Sequence, residues 1–343
     1  MLDESAPQQD CVLALDVGGT SMKGAVLDRT LNSIASLRAS TPRAHGPDAV
    51  VDAVADFLRF LQCKARDRDL IVRHAGVVVP GIVDEARGTA VYAANLGWRD
   101  APLAAELARR TGLDVTLGHD VRAGGMAECT HGAARGARNA LFVALGTGVA
   151  AAVVCDGVAV TSGGYAGELG HLVVDPQGRP CPCGGTGCLE TVASASAVVA
   201  GYNAVSKRPV AGAVEVAALA RRGDALAEQV WNRAVEALAQ ALAATTTLLA
   251  PEKVVLGGGL SEAGPLLVDR VRAALSKRLT FQRHPLVVQA ALGDRAGSIG
   301  AGIAAWNAVG VDTSAARPAS RMTSDSPSPH VFNDFLQVAE PGC

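Results

Sequence analysis

A chain of 343 residues is long enough for two domains with substantial cores. Hydrophobic residues make up 49% of it but aromatics only 3%, so those cores must be built from Ala, Val and Leu. A formal net charge of −2 with scattered basic residues excludes the electrostatic footprint of a nucleic-acid or anionic-membrane binder, and neither partner is expected.

No apolar run approaches the roughly 18 residues that span a bilayer. The acidic, polar opening MLDESAPQQD does not read as a secretory signal. Of eight cysteines, Cys11, Cys63, Cys129, Cys155 and Cys343 stand singly, which is no disulfide framework. The expected location is a reducing cytoplasm.

Residues 1–10 read as a flexible arm. The apolar run Cys11–Val17 predicts a buried strand that turns at Gly18-Gly19-Thr20-Ser21 into a second strand near Ala25–Leu27. Such a hairpin can turn its backbone amides toward a phosphate. Helical periodicity follows from Pro47 to about Lys64 (Val50, Val51, Val54, Phe57, Leu58, Leu61), and His74–Val79 reads as a strand ending in Pro80-Gly81. Leu103–Thr111 reads as a helix, Asp114–Leu117 as a strand and Val121 to about Glu128 as a helix. Asp120 then falls between strand and helix, where the helix dipole favours a carboxylate and an N-cap role is equally open.

The strands Ala140–Leu145 and Ala151–Cys155 flank Gly146-Thr147-Gly148 and repeat the arrangement of Leu13–Leu27, which suggests two related halves. The segment Gly163–Glu190 then gathers Cys181, Cys183 and Cys188 in C-x-C-x4-C spacing, with His171 upstream and Glu168 and Glu190 bracketing the group. Three thiolates and one imidazole make a closed tetrahedral set, the usual structural zinc site, and glycines and prolines between them allow the tight turns. Separate buried thiols are the alternative, disfavoured by three cysteines so close together in a polar segment. Helices are expected near Ser194–Tyr202, Ala213–Arg221 and Asp224–Leu249, the last ended by Pro251. A strand Lys253–Leu256 enters Gly257-Gly258-Gly259, where backbone can lie flat against a planar group. Val287–Ala291 reads as a strand and Ala296–Val309 as a small-residue helix. Residues 311–343, rich in Ser, Pro, Thr and Asp, read as a disordered tail, with an amphipathic piece near Val331–Val338.

Together these pieces resemble the ROK family of sugar kinases, repressors and open reading frames, and most of all its bacterial glucokinases. The resemblance covers about residues 11–309. It rests on Asp16-Val17-Gly18-Gly19-Thr20, on Gly146-Thr147-Gly148, on Gly167-Glu168-Leu169-Gly170-His171 with the cysteine block, and on Leu256-Gly257-Gly258-Gly259. The third element is the specific one. The resemblance implies an α/β fold of two domains, the duplicated ribonuclease-H-like fold of actin and hexokinase with a zinc loop, ATP and sugar lying in the cleft. It divides the chain into a small domain (11–120 plus 295–310) and a large one (121–294) whose zinc loop is 163–190.

By the same resemblance Asp16, Gly18, Gly19, Thr20 and Lys23 would hold the β/γ phosphates, with Asp16 near Mg²⁺. Gly146, Thr147 and Gly148 would form a second phosphate loop, and Gly257, Gly258 and Gly259 would lie against the adenosine. Asp120 would be the general base toward the sugar's primary hydroxyl. Gly81, Asn95, His119, Glu168, His171 and Glu190 would surround the sugar, with His171 also joining Cys181, Cys183 and Cys188 on zinc. Two departures stand out: His119 replaces the family's usual Asn, and Ala150-Ala151-Ala152 replace glycines after the second phosphate loop.

The expected activity is therefore an ATP-dependent 6-kinase of glucose or a close hexose analogue, assembled as a homodimer or homotetramer. The alternative is a kinase of an amino sugar, such as 3-amino-3-deoxyglucose or N-acetylmannosamine, or of a cyclitol. The family's repressors carry a winged helix-turn-helix ahead of the first phosphate motif; with ten residues before Cys11, none is expected here. A non-catalytic sugar sensor is disfavoured by the presence of Asp16, Asp120 and Glu168. The sequence leaves open the sugar, the phosphate donor and the oligomer size.

Overall fold

The computed structural model describes residues 9–314. The tail from 315, including the amphipathic piece near Val331–Val338, lies outside the described residues, as does the arm up to residue 8. Residues cluster into two units. The first comprises, among the described residues, 9–127, 162–165 and 295–314; the second comprises Glu128–Thr161 and Ala166–Asp294.

In the first unit, β1 (Asp10–Val17), β2 (Ser21–Leu27), β3 (Ser33–Ser40), β4 (Ile71–Val79) and β8 (Val115–His119) form a sheet in the order β3-β2-β1-β4-β8. β1, β2 and β3 are antiparallel neighbours, whereas β1, β4 and β8 run parallel. The second unit repeats this order and sense with β9 (Ala140–Leu145), β10 (Val149–Cys155), β11 (Val158–Ala159), β12 (Lys253–Gly257) and β13 (Leu286–Gln289), arranged β11-β10-β9-β12-β13. The recurrence expected from the two glycine turns is thus a repeat of whole sheets. The alanines after the second turn lie within β10, where Ala150 pairs with Ala144 and Ala152 with Phe142.

A third sheet, β5 (Ile82–Asp84), β6 (Thr89–Ala93) and β7 (Trp98–Ala101), is inserted between β4 and β8 and escapes sequence reading because its strands are so short. Helix α1 (Pro47–Arg66) buries Val50, Val54, Phe57, Leu58 and Leu61 on one face, as its spacing predicts. α2 spans Leu103–Thr111 and α3 spans Asp120–His131, so Asp120 is the first helical residue rather than a linker residue. In the second unit α4 (Glu190–Ala193), α5 (Ala195–Asn203), α6 (Ala213–Arg221), α7 (Ala225–Leu249) and α8 (Pro265–Ser276) cover the sheet; α7 contributes the buried Trp231, Leu238 and Leu242. α8 was not expected from sequence.

The last helix, α9 (Ala296–Ala308), returns to the first unit. Its small residues have a packing reason: a Cβ on Gly76 of β4 would collide with the Ala301 carbonyl, so helix and strand backbones touch directly. Trp306 anchors the other end, fully buried, its indole N–H donating to the Asp28 carbonyl at 2.9 Å. Among the described residues no helix is long and apolar enough to cross a membrane.

His74, buried in β4 with Nε2 2.7 Å from Thr116 Oγ1, is held below the ordinary imidazole range, chiefly by burial. The unfolded chain therefore binds this proton more readily than the fold does, so stability falls as pH drops below about 6.5 and is level above it. Thermal melts from pH 5 to 8 should show that slope, and His74→Gln should flatten it. An unchanged slope in the variant would assign the effect elsewhere.

Candidate active site

β1 delivers Asp16 beside the turn into β2, directly across from Lys23 in the register. The turn closes on the Gly18 N–H, which donates to the Ser21 carbonyl at 2.9 Å. Thr41, not singled out from sequence, pins it from the side: its hydroxyl donates to the Gly18 carbonyl at 2.6 Å and its N–H to the Thr20 carbonyl at 3.1 Å. The Asp16 carboxylate also faces the start of α9, for a Cβ on Gly297 would stand 2.5 Å from Oδ2. That glycine leaves a carboxylate at a helix N-terminus, where the dipole stabilises it. Asn95, in the β6–β7 turn, has its Cβ 3.5 Å from the place a Cβ on Gly19 would take. Gly81 turns from β4 into β5 with φ +101°, against the backbone of Tyr92 and Ala93.

Asp120 follows directly on β8. Its Oδ1 accepts the N–H of Val121 at 2.7 Å, and its side chain is 27% exposed. The helix-capping role falls to the residue before it: His119 Nδ1 accepts the N–H of Arg122 at 3.2 Å, while Nε2 lies 3.6 Å from Asp120 Oδ1. Arg122 is 2% exposed and donates from Nε to Glu85 Oε1 at 2.8 Å. Neither Arg122 nor Glu85 carries a motif signal; only their ion pair, buried on the arginine's side, reveals them.

In the second unit the turn Gly146–Gly148 closes with the Gly146 N–H donating to the Gly148 carbonyl at 3.0 Å. Glu190, the first residue of α4, reaches this turn, its Oε2 accepting the Val149 N–H at 3.0 Å. A side chain at Gly148 would collide with that carboxylate. Gly257 ends β12, Gly258 turns with φ +77° and Gly259 opens a short helical turn to Ala263, so the three glycines form a sharp corner rather than one flat run. The Ser261 hydroxyl holds the corner by donating to the Gly258 carbonyl at 2.7 Å. A small pocket lined by Ala213, Ala217, Trp231, Gly259 and Leu260 adjoins it.

The cysteine segment folds as two short bridges, Val173 with Cys188 and Pro180 with Thr186. They bring His171, Cys181, Cys183 and Cys188 together, with ligand atoms all within 4.8 Å of one another. Cys183 Sγ and Cys188 Sγ are 3.7 Å apart, as are Cys181 Sγ and His171 Nδ1. Metal–sulfur bonds of about 2.3 Å in a tetrahedron require edges of about 3.8 Å, so the four residues fit such an ion. The N–H of Gly185 and the thiol of Cys181 lower the Cys183 thiol to about 7, toward the thiolate that binds metals. Burial raises Cys188 to about 12. With Nδ1 turned to the sulfurs, His171 Nε2 lies 3.7 Å from Glu168 Oε2.

The model of the ROK family matches residues 12–307. The chain is 34% identical over 313 residues to a glucokinase of Halalkalibacterium halodurans, a match covering 84% of this chain and 93% of the relative. Among solved structures it is similar to a ROK hexokinase of Thermus thermophilus, with TM-score 0.76, 31% identity and coverage of 88% of this chain and 99% of that one. It is also similar to a ROK family glucokinase of Streptomyces griseus in complex with glucose and AMPPNP, with TM-score 0.73, 28% identity and coverage of 87% and 99%. With the family model matched along most of its length, the chain belongs to the ROK family.

Proposed function

We propose that this chain is an ATP-dependent kinase that phosphorylates the 6-hydroxyl of glucose, with Asp120 as general base. The observation that carries this reading is Asp120 itself, a partly exposed carboxylate fixed by the Val121 N–H at the end of a strand, in a fold whose relatives include glucokinases. As the hydroxyl oxygen attacks the γ-phosphorus, its proton passes to Asp120 and the bond from the γ-phosphorus to the β,γ-bridging oxygen breaks, leaving ADP.

The turn Gly18–Thr20, with Lys23, is assigned to the β/γ phosphates, and Gly146–Gly148 is assigned as a second phosphate loop. The corner Gly257–Gly259 and its adjoining pocket are assigned to the adenosine. Mg²⁺ would be held near Asp16 and, when bound, would neutralise charge on the phosphates. Glu168, His171 and Glu190, with Asn95 and Gly81, are assigned to the sugar, since carboxylates accept hydroxyl hydrogen bonds directionally. His171 Nδ1, Cys181, Cys183 and Cys188 would hold a structural Zn²⁺, which supplies no chemistry beyond fixing the loop that carries Glu168 and Glu190. A cytoplasmic location suits those thiolates, and a homodimer or homotetramer is the assembly proposed.

The test is ADP release, measured by a coupled assay with ATP and a panel of glucose, 3-amino-3-deoxyglucose, N-acetylmannosamine and a cyclitol. Glucose should give the highest kcat/KM. A higher value for an amino sugar or the cyclitol would move the substrate, and no sugar-dependent release from any of them would overturn the kinase reading.

A further inference from the structure

The imidazole of His119 is bonded at Nδ1 and turns Nε2 toward Asp120. The residue is 6% exposed. Nδ1 accepts the Arg122 N–H at 3.2 Å, the bond by which an N-cap side chain satisfies the third amide of a helix. A neutral imidazole that accepts on Nδ1 carries its proton on Nε2, and Nε2 faces Asp120 Oδ1 at 3.6 Å. The same Oδ1 takes the Val121 N–H at 2.7 Å. One hydrogen bond thus holds this carboxylate oxygen, and the imidazole edge stands against it.

The ring is itself held. The His119 N–H donates to Glu85 Oε1 at 3.2 Å, and that oxygen also receives Arg122 Nε at 2.8 Å. The rest of the buried guanidinium bonds the Val83 carbonyl at 3.0 Å and the Gly164 carbonyl at 3.3 Å. Gly164 fits there because it has φ +99° and no Cβ to strike Val83. Strand β5, the segment 162–165 and the first turn of α3 are thereby tied through one side chain, in the fork geometry that gives arginine its rigidity.

We propose that His119 is a positioning residue for Asp120, not a reader of the sugar, and that Glu85 and Arg122 hold it in place. Val121 N–H bonds Oδ1 and the His119 ring packs beside it at 3.6 Å, which assigns the incoming hydroxyl proton to Oδ2. A buried ring with Nδ1 already committed to the helix leaves a sugar hydroxyl little of itself to bond. The exchange of the family's Asn for His at this position then changes how the base is held and leaves sugar preference to Glu168, His171 and Glu190. The inference rests on Asp120 being the base.

The experiment is steady-state kinetics on glucose and its C3 and C4 epimers for the parent, Asp120→Asn, His119→Ser and His119→Asn, each with a melting curve. Serine caps helices well but is too short to reach Asp120, so His119→Ser should fold normally. Its kcat should fall roughly 10- to 100-fold, the scale of a misplaced catalytic group. Glucose KM should stay within about twofold and the sugar ranking should not change, as expected when only transition-state interactions are lost. A raised KM or a reordered ranking with kcat kept would show that the ring reads the sugar and would overturn the proposal, as would unchanged kinetics in both His119 variants. If His119→Ser folds poorly, His119→Asn carries the same comparison. The underlying assignment fails separately: an inactive parent removes the kinase reading, and an active Asp120→Asn removes the base, each visible before any His119 variant is considered.

Discussion

Asp120→Asn is expected to fold as the parent does and to lose about 10²- to 10⁴-fold in kcat, the usual contribution of a general base. The substitution is nearly isosteric. The amide oxygen can still accept the Val121 N–H that the carboxylate accepts at 2.7 Å, and the His119 cap on Arg122 is untouched. What disappears is basicity, because an amide cannot take the hydroxyl proton. Glucose KM should therefore change little while kcat collapses, since ground-state contacts remain and only the transition state is weakened. The rival role, a carboxylate that merely stabilises the start of α3, predicts the opposite pair of results: a lower melting temperature with normal turnover. Near-parent kcat in a well-folded variant would refute the base.

The second large effect is expected at the cysteine cluster. Protein purified without added metal should contain one zinc per chain, and Cys183→Ser should lose most of it. Cys183 is the exposed thiol of the set, so its replacement disturbs no packing. Loss of the ion should lower the melting temperature and raise glucose KM by about 10- to 100-fold, the range in which groups supporting a metal site act. The coupling follows from the chain path. Cys188 is two residues from Glu190, whose carboxylate holds the Val149 N–H beside the Gly146–Gly148 turn. His171 is three residues from Glu168 and within 3.7 Å of it. Metal analysis with thermal melts and a glucose titration decides the matter. Zinc-free parent protein would remove the metal, and a normal KM in Cys183→Ser would reduce the cluster to a staple unconnected with the sugar.

Local chemistry made much of this molecule legible in advance. Runs such as Cys11–Val17 and Ala140–Leu145 are apolar throughout because a central strand is buried on both faces, and each proved to be one. The glycine turns after them could be read because tight antiparallel returns need residues of that kind. The periodicity of α1 and the full extent of α2 and α6 followed from one-sided burial. The cysteine spacing announced a four-ligand cluster because ligands must converge within a few ångströms, and short glycine-rich segments do this locally.

Tertiary structure decided what depends on residues far apart in the chain. Whether Asp120 capped α3 was open in the sequence, and the fold gave the cap to His119 because burial against Glu85 and Arg122 fixes that ring. Arg122 itself has no local signature: its partners are Glu85, Val83 and Gly164, 37 to 42 residues away. The inserted sheet of β5, β6 and β7 stayed hidden because strands of three to five residues carry too few alternations to register. The glycines of α9 look like poor helix formers until Gly76 and Ala301 are seen backbone to backbone. Sequence periodicity reports which face of an element meets the core. It does not report which element lies on that face, and the settings of Asp120, the capping His119 and the buried Arg122 are fixed by that second fact.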